Sequence, residues 1–142
     1  KTMASNPNFT ATGNNSRVNL TTANTTRDLS STTNAALLVT AAATGTRIDT
    51  VTWTHSAASQ TQASIAAVGR VWICTTSGGA NPRLIREIAL TAVTPSATAI
   101  GATFTMTFSP PLVLANGEHL WGAISATQTN GGYDVAVSGG DF

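Results

Sequence analysis

The feature that most restricts the fold of this chain is a regular alternation of threonine with large apolar residues. Within 103–108 every second residue is threonine, and phenylalanine or methionine stands between the threonines. Within 47–55, Val51, Trp53 and His55 alternate with threonines in the same way. A period of two places alternate side chains on opposite faces of a β-strand, and the β-branched threonine suits an exposed pleated surface. Both stretches are therefore predicted to be strands with one buried face and one hydroxyl-covered face.

Other stretches carry strand signals at intervals of roughly ten residues, with turn sequences between them. They are 36–41, 63–68, 70–75, 84–90, 119–125 and 133–137. A two-turn helix is the alternative for 84–90, although its brevity and its flanking strands favour a strand. The strand 70–75 is apolar on both faces and is predicted to be central. The chain is thus predicted to be all-β, a single β-sandwich or jelly roll of about eight strands.

Three local features refine this pattern. Ile48 is out of phase with Val51, which predicts a β-bulge or a strand entry near Asp49. Two consecutive prolines, at positions 110 and 111, are predicted to end the strand of 103–108, since proline cannot donate to the hydrogen-bond ladder of a sheet. The dipeptide Asn116-Gly117 is the strongest short-range signal for a hairpin turn.

Residues 1–34 differ from the rest of the chain, because they are almost wholly Asn, Thr, Ser and Ala. Four isolated apolar residues, Phe9, Val18, Leu20 and Leu29, cannot bury enough area to offset the entropy of ordering the segment. We therefore predict an extended polar N-terminal arm over 1–34 and a β-sandwich domain over 35–142. The four apolar residues are the candidate contacts with a partner, and removal of residues 1–30 is expected to leave the sandwich folded but to weaken its attachment to that partner.

Charge is scarce in this sequence. Charged residues make up 9 % of the chain, against about 25 % in typical soluble domains. The formal net charge is +1 and no basic cluster exceeds two residues, so nucleic acid is not an expected partner. No apolar run approaches the roughly 20 residues of a membrane helix, so neither is a membrane. Surface ion pairs are predicted between Arg47 and Asp49 and between Arg86 and Glu87. A surface so poor in charge is typical of a protein packed against other subunits.

No group of residues carries a recognisable reactive chemistry. The single cysteine, Cys74, excludes an intrachain disulfide and a multi-cysteine metal site, and its apolar neighbours predict that it is buried. His55 and His119 have no metal-ligand spacing, and the six carboxylates are scattered singly. We therefore predict no catalytic residue, no cofactor-binding residue, no metal site and no enzymatic activity.

Four segments carry a resemblance to a known group of proteins. They are Gly-Thr-Arg-Ile-Asp-Thr-Val at 45–51, Arg-Leu-Ile-Arg-Glu-Ile-Ala-Leu at 83–90, Leu-Ala-Asn-Gly-Glu-His-Leu-Trp at 114–121 and Ser-Gly-Gly-Asp-Phe at 138–142. In this order they resemble small structural proteins of tailed bacteriophages, the head decoration or cement proteins. The resemblance covers roughly residues 36–142 and implies a β-sandwich or jelly roll. It also implies a virion protein on the outer capsid surface, made in the bacterial cytoplasm, which binds the major capsid protein and copies of itself as a trimer or dimer.

Two other functions remain open from the sequence. The chain could be a carbohydrate- or receptor-binding module in which Trp53, Trp72, Trp121 or Tyr133 forms a stacking platform. Trp53 and Trp72 lie in apolar strands, however, and we predict that they pack in the core. The chain could also be a fibre, tail or neck component of the same virion, since such proteins are equally β-rich.

Overall fold

The computed structural model describes residues 12–57, 62–96, 98 and 100–142, and all of its regular secondary structure is β. The nine strands are β1 (Thr12–Asn14), β2 (Arg17–Leu20), β3 (Ala36–Thr40), β4 (Thr46–Ser56), β5 (Ala67–Cys74), β6 (Arg83–Leu90), β7 (Thr103–Leu114), β8 (His119–Ile124) and β9 (Gly132–Asp141). The segment 84–90 is therefore a strand rather than a helix, and all pairings between neighbouring strands are antiparallel.

The strands form two sheets. Sheet A has five strands in the order β1-β9-β4-β7, with β2 also paired to β9, and sheet B has four strands in the order β3-β8-β5-β6. Because β1 and β2 follow one another along the same side of β9, they form one interrupted edge. The strand pairs are those of one long hairpin, rolled up so that successive pairs alternate between the two sheets. They are β1/β2–β9, β3–β8, β4–β7 and β5–β6. This is the jelly-roll order, so the predicted fold class is confirmed.

The core lies between the two sheets and is centred on β4 and β5. Trp53, Val51 and Ile48 of β4 are fully buried against the inner face of sheet B. Gly69 on β5 provides room for the indole, since a Cβ atom at that position would lie 2.9 Å from Cε2 of Trp53. Strand β5 lies between β8 and β6, as its two apolar faces predicted.

The predicted bulge near Asp49 is present. The register of β4 shifts between Ile48 and Thr50 against both neighbouring strands. On β7 the partners of these two residues are Leu112 and Thr107, so the prolines at 110 and 111 lie in an irregular stretch opposite the bulge. The prediction that these prolines end the strand is wrong, because β7 is an edge strand and this stretch needs no ladder hydrogen bonds.

The Asn116-Gly117 turn forms but does not make a hairpin. Gly117 has a φ of 83°, and Glu118 N donates to Ala115 O over 3.0 Å, as in a tight turn. The strands on either side, β7 and β8, belong to different sheets. The prediction of a hairpin is wrong because the jelly-roll order pairs β8 with β3 and β5 instead.

From Thr12 onward, the segment predicted as an arm takes part in the sandwich. Strands β1 and β2 hydrogen-bond to β9, and residues 21–35, which we call the strap, cross the outer face of sheet B. Asn24 N donates to Ile124 O over 2.9 Å, and the Asn24 amide donates to two carbonyl groups of the strap itself. Removal of residues 1–30 would therefore take away an edge of sheet A, contrary to the expectation from the sequence. The arm remains a prediction for residues 1–11, which lie outside the described residues.

Candidate functional site

Six threonines cover the outer side of β4 and β7 and form the most regular surface of the described structure. Three threonines of β4 stand opposite threonines of β7, in the pairs 50–107, 52–105 and 54–103. All six are exposed or partly exposed, while the residues between them on β4 and on β7 pack inward. We call this surface the threonine face: Thr50, Thr52, Thr54, Thr103, Thr105 and Thr107.

Two hydrogen bonds show that the paired threonine side chains stand close together across the two strands. His55 N donates to Ala102 O over 2.8 Å, so the neighbouring pair of Thr54 and Thr103 is a non-hydrogen-bonded pair of the antiparallel ladder. Side chains approach most closely in such pairs, and the hydroxyl oxygens of Thr52 and Thr105 lie 3.2 Å apart. Since β-branched side chains are stiff at χ1, the face presents ordered hydroxyl and methyl groups.

The charged side chains of this surface lie at its margin. Arg17 on β2 and Asp134 on β9 stand beside Thr52 and Thr54 and line a shallow depression of about 390 Å³. A second depression of about 380 Å³ continues from Arg17 toward Ser138. The Asn19 amide donates to Asp134 over 2.7 Å, whereas Arg17 makes no ion pair with any residue in the described ranges. The middle of the surface is therefore hydroxyl-rich and uncharged.

The aromatic side chains considered as a stacking platform are all buried. Trp53 and Tyr133 lie inside the sandwich, and Trp72 lies beneath the strap, each with an exposed fraction of 0 %. Trp121 is 8 % exposed and lies beside Trp72. The predicted burial of Trp53 and Trp72 is confirmed, although only Trp53 lies in the core between the sheets. None of the four rings is free to stack on a sugar.

Charged contacts hold the strap on sheet B. Glu87 accepts three hydrogen bonds from Arg27 in the strap, the shortest of them 2.8 Å, and one from Arg70 on β5 over 2.9 Å. The hydrogen bonds from Arg27 and then Arg70 lower the pKa of the Glu87 carboxyl. The predicted pair of Arg86 and Glu87 is wrong, because successive residues of a strand point to opposite faces. Arg86 instead lies 5.3 Å from the ring centre of Phe108.

The groups that could support other chemistry are separated. Cys74 is buried as predicted, and burial raises the pKa of its thiol. His119 Nδ1 lies 3.2 Å from the Thr40 hydroxyl. The His55 ring meets the Tyr133 ring edge to face, with 5.5 Å between the two ring centres. The predicted ion pair of Arg47 and Asp49 is present at 2.7 Å. Within the described residues, no three His, Cys, Asp or Glu side chains come together in a way that could hold a metal ion.

The four candidate partner contacts have different positions. Leu20 is buried in the core between the sheets, and Leu29 is buried between the strap, Trp72 and Trp121. Val18 is partly buried against the core, and Phe9 lies outside the described residues. The premise that these residues lack partners within the chain is wrong for Leu20 and Leu29, because the two leucines meet two different surfaces of the same sandwich.

The threonine face was not identified as a site from the sequence, although its signal was present there. The two runs Thr-Val-Thr-Trp-Thr and Thr-Phe-Thr-Met-Thr predicted hydroxyl-covered strands, but nothing in the sequence showed that they pair in register.

Among the described residues no helix is long and apolar enough to cross a membrane. Comparison of the chain with known protein families, with curated proteins and with solved structures finds no match.

Proposed function

We propose that this protein is a non-catalytic structural protein of a tailed-bacteriophage virion. It decorates the outer surface of the capsid after synthesis in the bacterial cytoplasm, and it binds the major capsid protein and copies of itself. The observation that carries this proposal is the threonine face, a broad uncharged surface on a rigid sandwich.

An uncharged hydroxyl surface is suited to permanent contact. Covering an ionised side chain without a partner costs several kcal/mol, whereas a threonine hydroxyl can be satisfied by one hydrogen bond and its methyl group gains from burial. The centres of protein interfaces are depleted of charged residues for this reason. On this chain the ion pairs lie at the strap, at the Asp49 bulge and near the Glu118 turn, away from the middle of the threonine face.

The resemblance to decoration proteins supports the proposal from another direction, because parts of three of its four segments meet at one end of the sandwich. Thr46 pairs with both Leu114 and Asp141, and the Thr46 hydroxyl donates to Asp141 over 2.5 Å. Phe142 N donates to Gly45 O over 3.2 Å. The segments that carry the resemblance therefore meet in one contiguous structural unit of this chain.

Attachment can be tested with virions that lack this protein. Purified protein added to them is expected to bind and to restore resistance to heat and osmotic shock. Thr54→Glu, which places a charge on the threonine face, is expected to weaken binding by about tenfold or more. Thr25→Glu makes the same change on the strap, on the opposite side of the sandwich, and should bind as the unaltered protein does.

Two outcomes would contradict the proposal. If virions without the protein survive heat and osmotic shock to the same extent as complete virions, the protein does not stabilise the capsid. Labelling of the protein at the tail, neck or fibre rather than over the head would favour the other virion components.

A carbohydrate-binding module built on the tryptophans is not supported, because all of these rings are buried. The jelly roll alone does not separate these classes, since it occurs in both capsid and lectin domains.

A further inference from the structure

Strand β7 presents an open row of backbone hydrogen-bonding groups. The Thr107 carbonyl accepts a hydrogen bond from Arg86 Nη1 on β6 over 2.6 Å, so this carbonyl points away from β4. Because His55 N donates to Ala102 O, the residues of β7 whose backbone groups bond to β4 are those in step with Ala102, namely Phe104 and Met106. Backbone N–H and C=O groups of one strand residue point to the same side. Thr103, Thr105 and Thr107 therefore direct these groups to the open edge of sheet A, where β7 is the last described strand.

The other sheet edges have features that hinder pairing with another chain. Strand β6 carries Arg83, Arg86 and Glu87 along its length. Strand β3 has a register shift at Leu38, whose carbonyl accepts a hydrogen bond from the Ser16 hydroxyl. The edge formed by β1 and β2 is interrupted between the two strands and carries a charged side chain at the start of β2. Charges, bulges and interruptions are the usual means by which β-proteins protect their edges.

Strand β7 has such protection over only part of its length. Its two prolines and its irregular register lie at 108–111, beyond the Arg86 contact. The stretch 103–106 has no charge, no proline and no shift in register. This is the exposed, uninterrupted edge of the described structure, and it borders the threonine face.

We propose that a second copy of this chain pairs with β7 through the same strand, in antiparallel fashion, about a two-fold axis beside Thr105. A two-fold axis places each surface opposite its own copy, so any charge near the axis would face a like charge. The stretch 103–107 carries none. In this register Thr105 exchanges both backbone hydrogen bonds with its copy, and Thr103 of one copy pairs with Thr107 of the other. The Thr107 carbonyl already accepts a hydrogen bond from Arg86, but its oxygen has a second lone pair for the bond from Thr103.

The pairing makes sheet A continuous through two copies. Threonine stands opposite threonine on the outer side, and Phe104 stands opposite Met106 of the second copy on the inner side. The threonine face then extends over four adjacent strands, and the nearest charge to its middle is the Arg86 guanidinium at the Thr107 carbonyl of each copy. The inference rests on the self-association in the proposed function, and it can be tested on the free protein without a capsid.

A disulfide at the axis tests the register. In the Thr105→Cys variant the two introduced cysteines would have Cα atoms about 5.5 Å apart, within the range that a disulfide spans. The native thiol, Cys74, is buried and does not compete. Thr54→Cys is the control, because Thr54 is also exposed on the threonine face but lies one strand farther from the axis in each copy, at least about 14 Å from its own copy. Under mild oxidation, Thr105→Cys is expected to form a covalent dimer roughly tenfold or more faster than Thr54→Cys. Equal rates, or no dimer from either variant, would overturn the proposal.

Charge substitution at the axis gives a second test. Thr105→Lys and Thr105→Glu each place like charges opposite one another, so each variant alone is expected to sediment as a monomer under conditions where the unaltered protein is a dimer. An equal mixture of the two is expected to recover the dimer. Circular dichroism verifies that both variants are folded. An unaltered protein that is monomeric over a wide dilution series, or variants that dimerise as it does, would refute the pairing. Either result leaves attachment to capsids standing, because that assay measures binding to the virion.

Discussion

Leu29 is expected to hold the strap on the sandwich, although it lies in a segment almost without apolar residues. Its side chain is 3 % exposed and packs against Trp72, Trp121 and Ala35. Truncation of a buried leucine to alanine costs about 2–5 kcal/mol. Leu29 lies between the strap and one sheet rather than between two sheets, where the chain can partly collapse into the space, so we expect Leu29→Ala to cost about 2–3 kcal/mol.

The backbone of Leu29 adds a more specific expectation. Its φ is 51°, in the left-handed region that residues with a Cβ atom adopt at a cost of about 1–2 kcal/mol and that glycine adopts freely. Alanine keeps this cost and glycine removes it. We therefore expect Leu29→Gly to be more stable than Leu29→Ala by about 0.5–1 kcal/mol, the reverse of the usual order. Thr25, an exposed strap residue outside that region, should show the usual order, with Thr25→Ala more stable than Thr25→Gly.

Urea unfolding followed by tryptophan fluorescence measures these differences. Acrylamide quenching measures whether the strap still covers Trp72 and Trp121, and it should increase in Leu29→Ala relative to the unaltered protein. A loss of less than about 0.5 kcal/mol in Leu29→Ala would show that the strap does not depend on this side chain. A Leu29→Gly variant that is less stable than Leu29→Ala would refute the reasoning from φ.

Three further predictions concern the core, the strap and the thiol. Gly69→Ala should cost about 1–3 kcal/mol of unfolding free energy, because its Cβ atom would lie 2.9 Å from the Trp53 ring, whereas Gly78→Ala, with its nearest contact at 3.8 Å, should change little in the same urea assay. Two arginines lower the pKa of Glu87, so its contribution to stability is present above the unfolded-state pKa of about 4.3 and is lost as the pH falls through the folded-state pKa. Urea midpoints of the unaltered protein and Glu87→Gln should therefore differ at neutral pH and converge in acid, and a constant difference would contradict this. Cys74, buried and with a raised pKa, should react with a thiol reagent only after unfolding, and rapid reaction of the folded protein would contradict its position.

Much of the sandwich could be predicted because the alternation of side chains is a local property. The period of two around Trp53 and Phe104 follows from the geometry of a single strand, so burial on one side and threonine on the other could be read without a partner strand. The break of that period at Ile48 indicated the bulge for the same reason. The fold class, the burial of Trp53 and Trp72 and the burial of Cys74 all depend on such local patterns.

Pairing depends on which strands meet, and this information is not local. The Asn116-Gly117 turn has the sequence of a hairpin, yet the strands it joins lie in different sheets because each has a longer-range partner. Leu20 and Leu29 are single apolar residues in polar surroundings, so their sequence neighbours could not show that each reaches a surface built far along the chain. The threonine face was missed as a site for the same reason, since it exists only when β4 and β7 pair in register.

The position of β9 within sheet A also governs when this fold can close during synthesis. Residues of β9 pair with β1 and β2 on one side and with β4 on the other, so β1 and β2 have no place in the sheet until residues 132–141 have been synthesised. Closure over so long a separation in sequence makes folding slow and leaves strand edges open in the meantime. The threonine-bearing strands β4 and β7 are made before β9 can join β4. A growing chain therefore presents the open edge of β7 before its fold is complete, and neighbouring ribosomes on one message would bring such edges together.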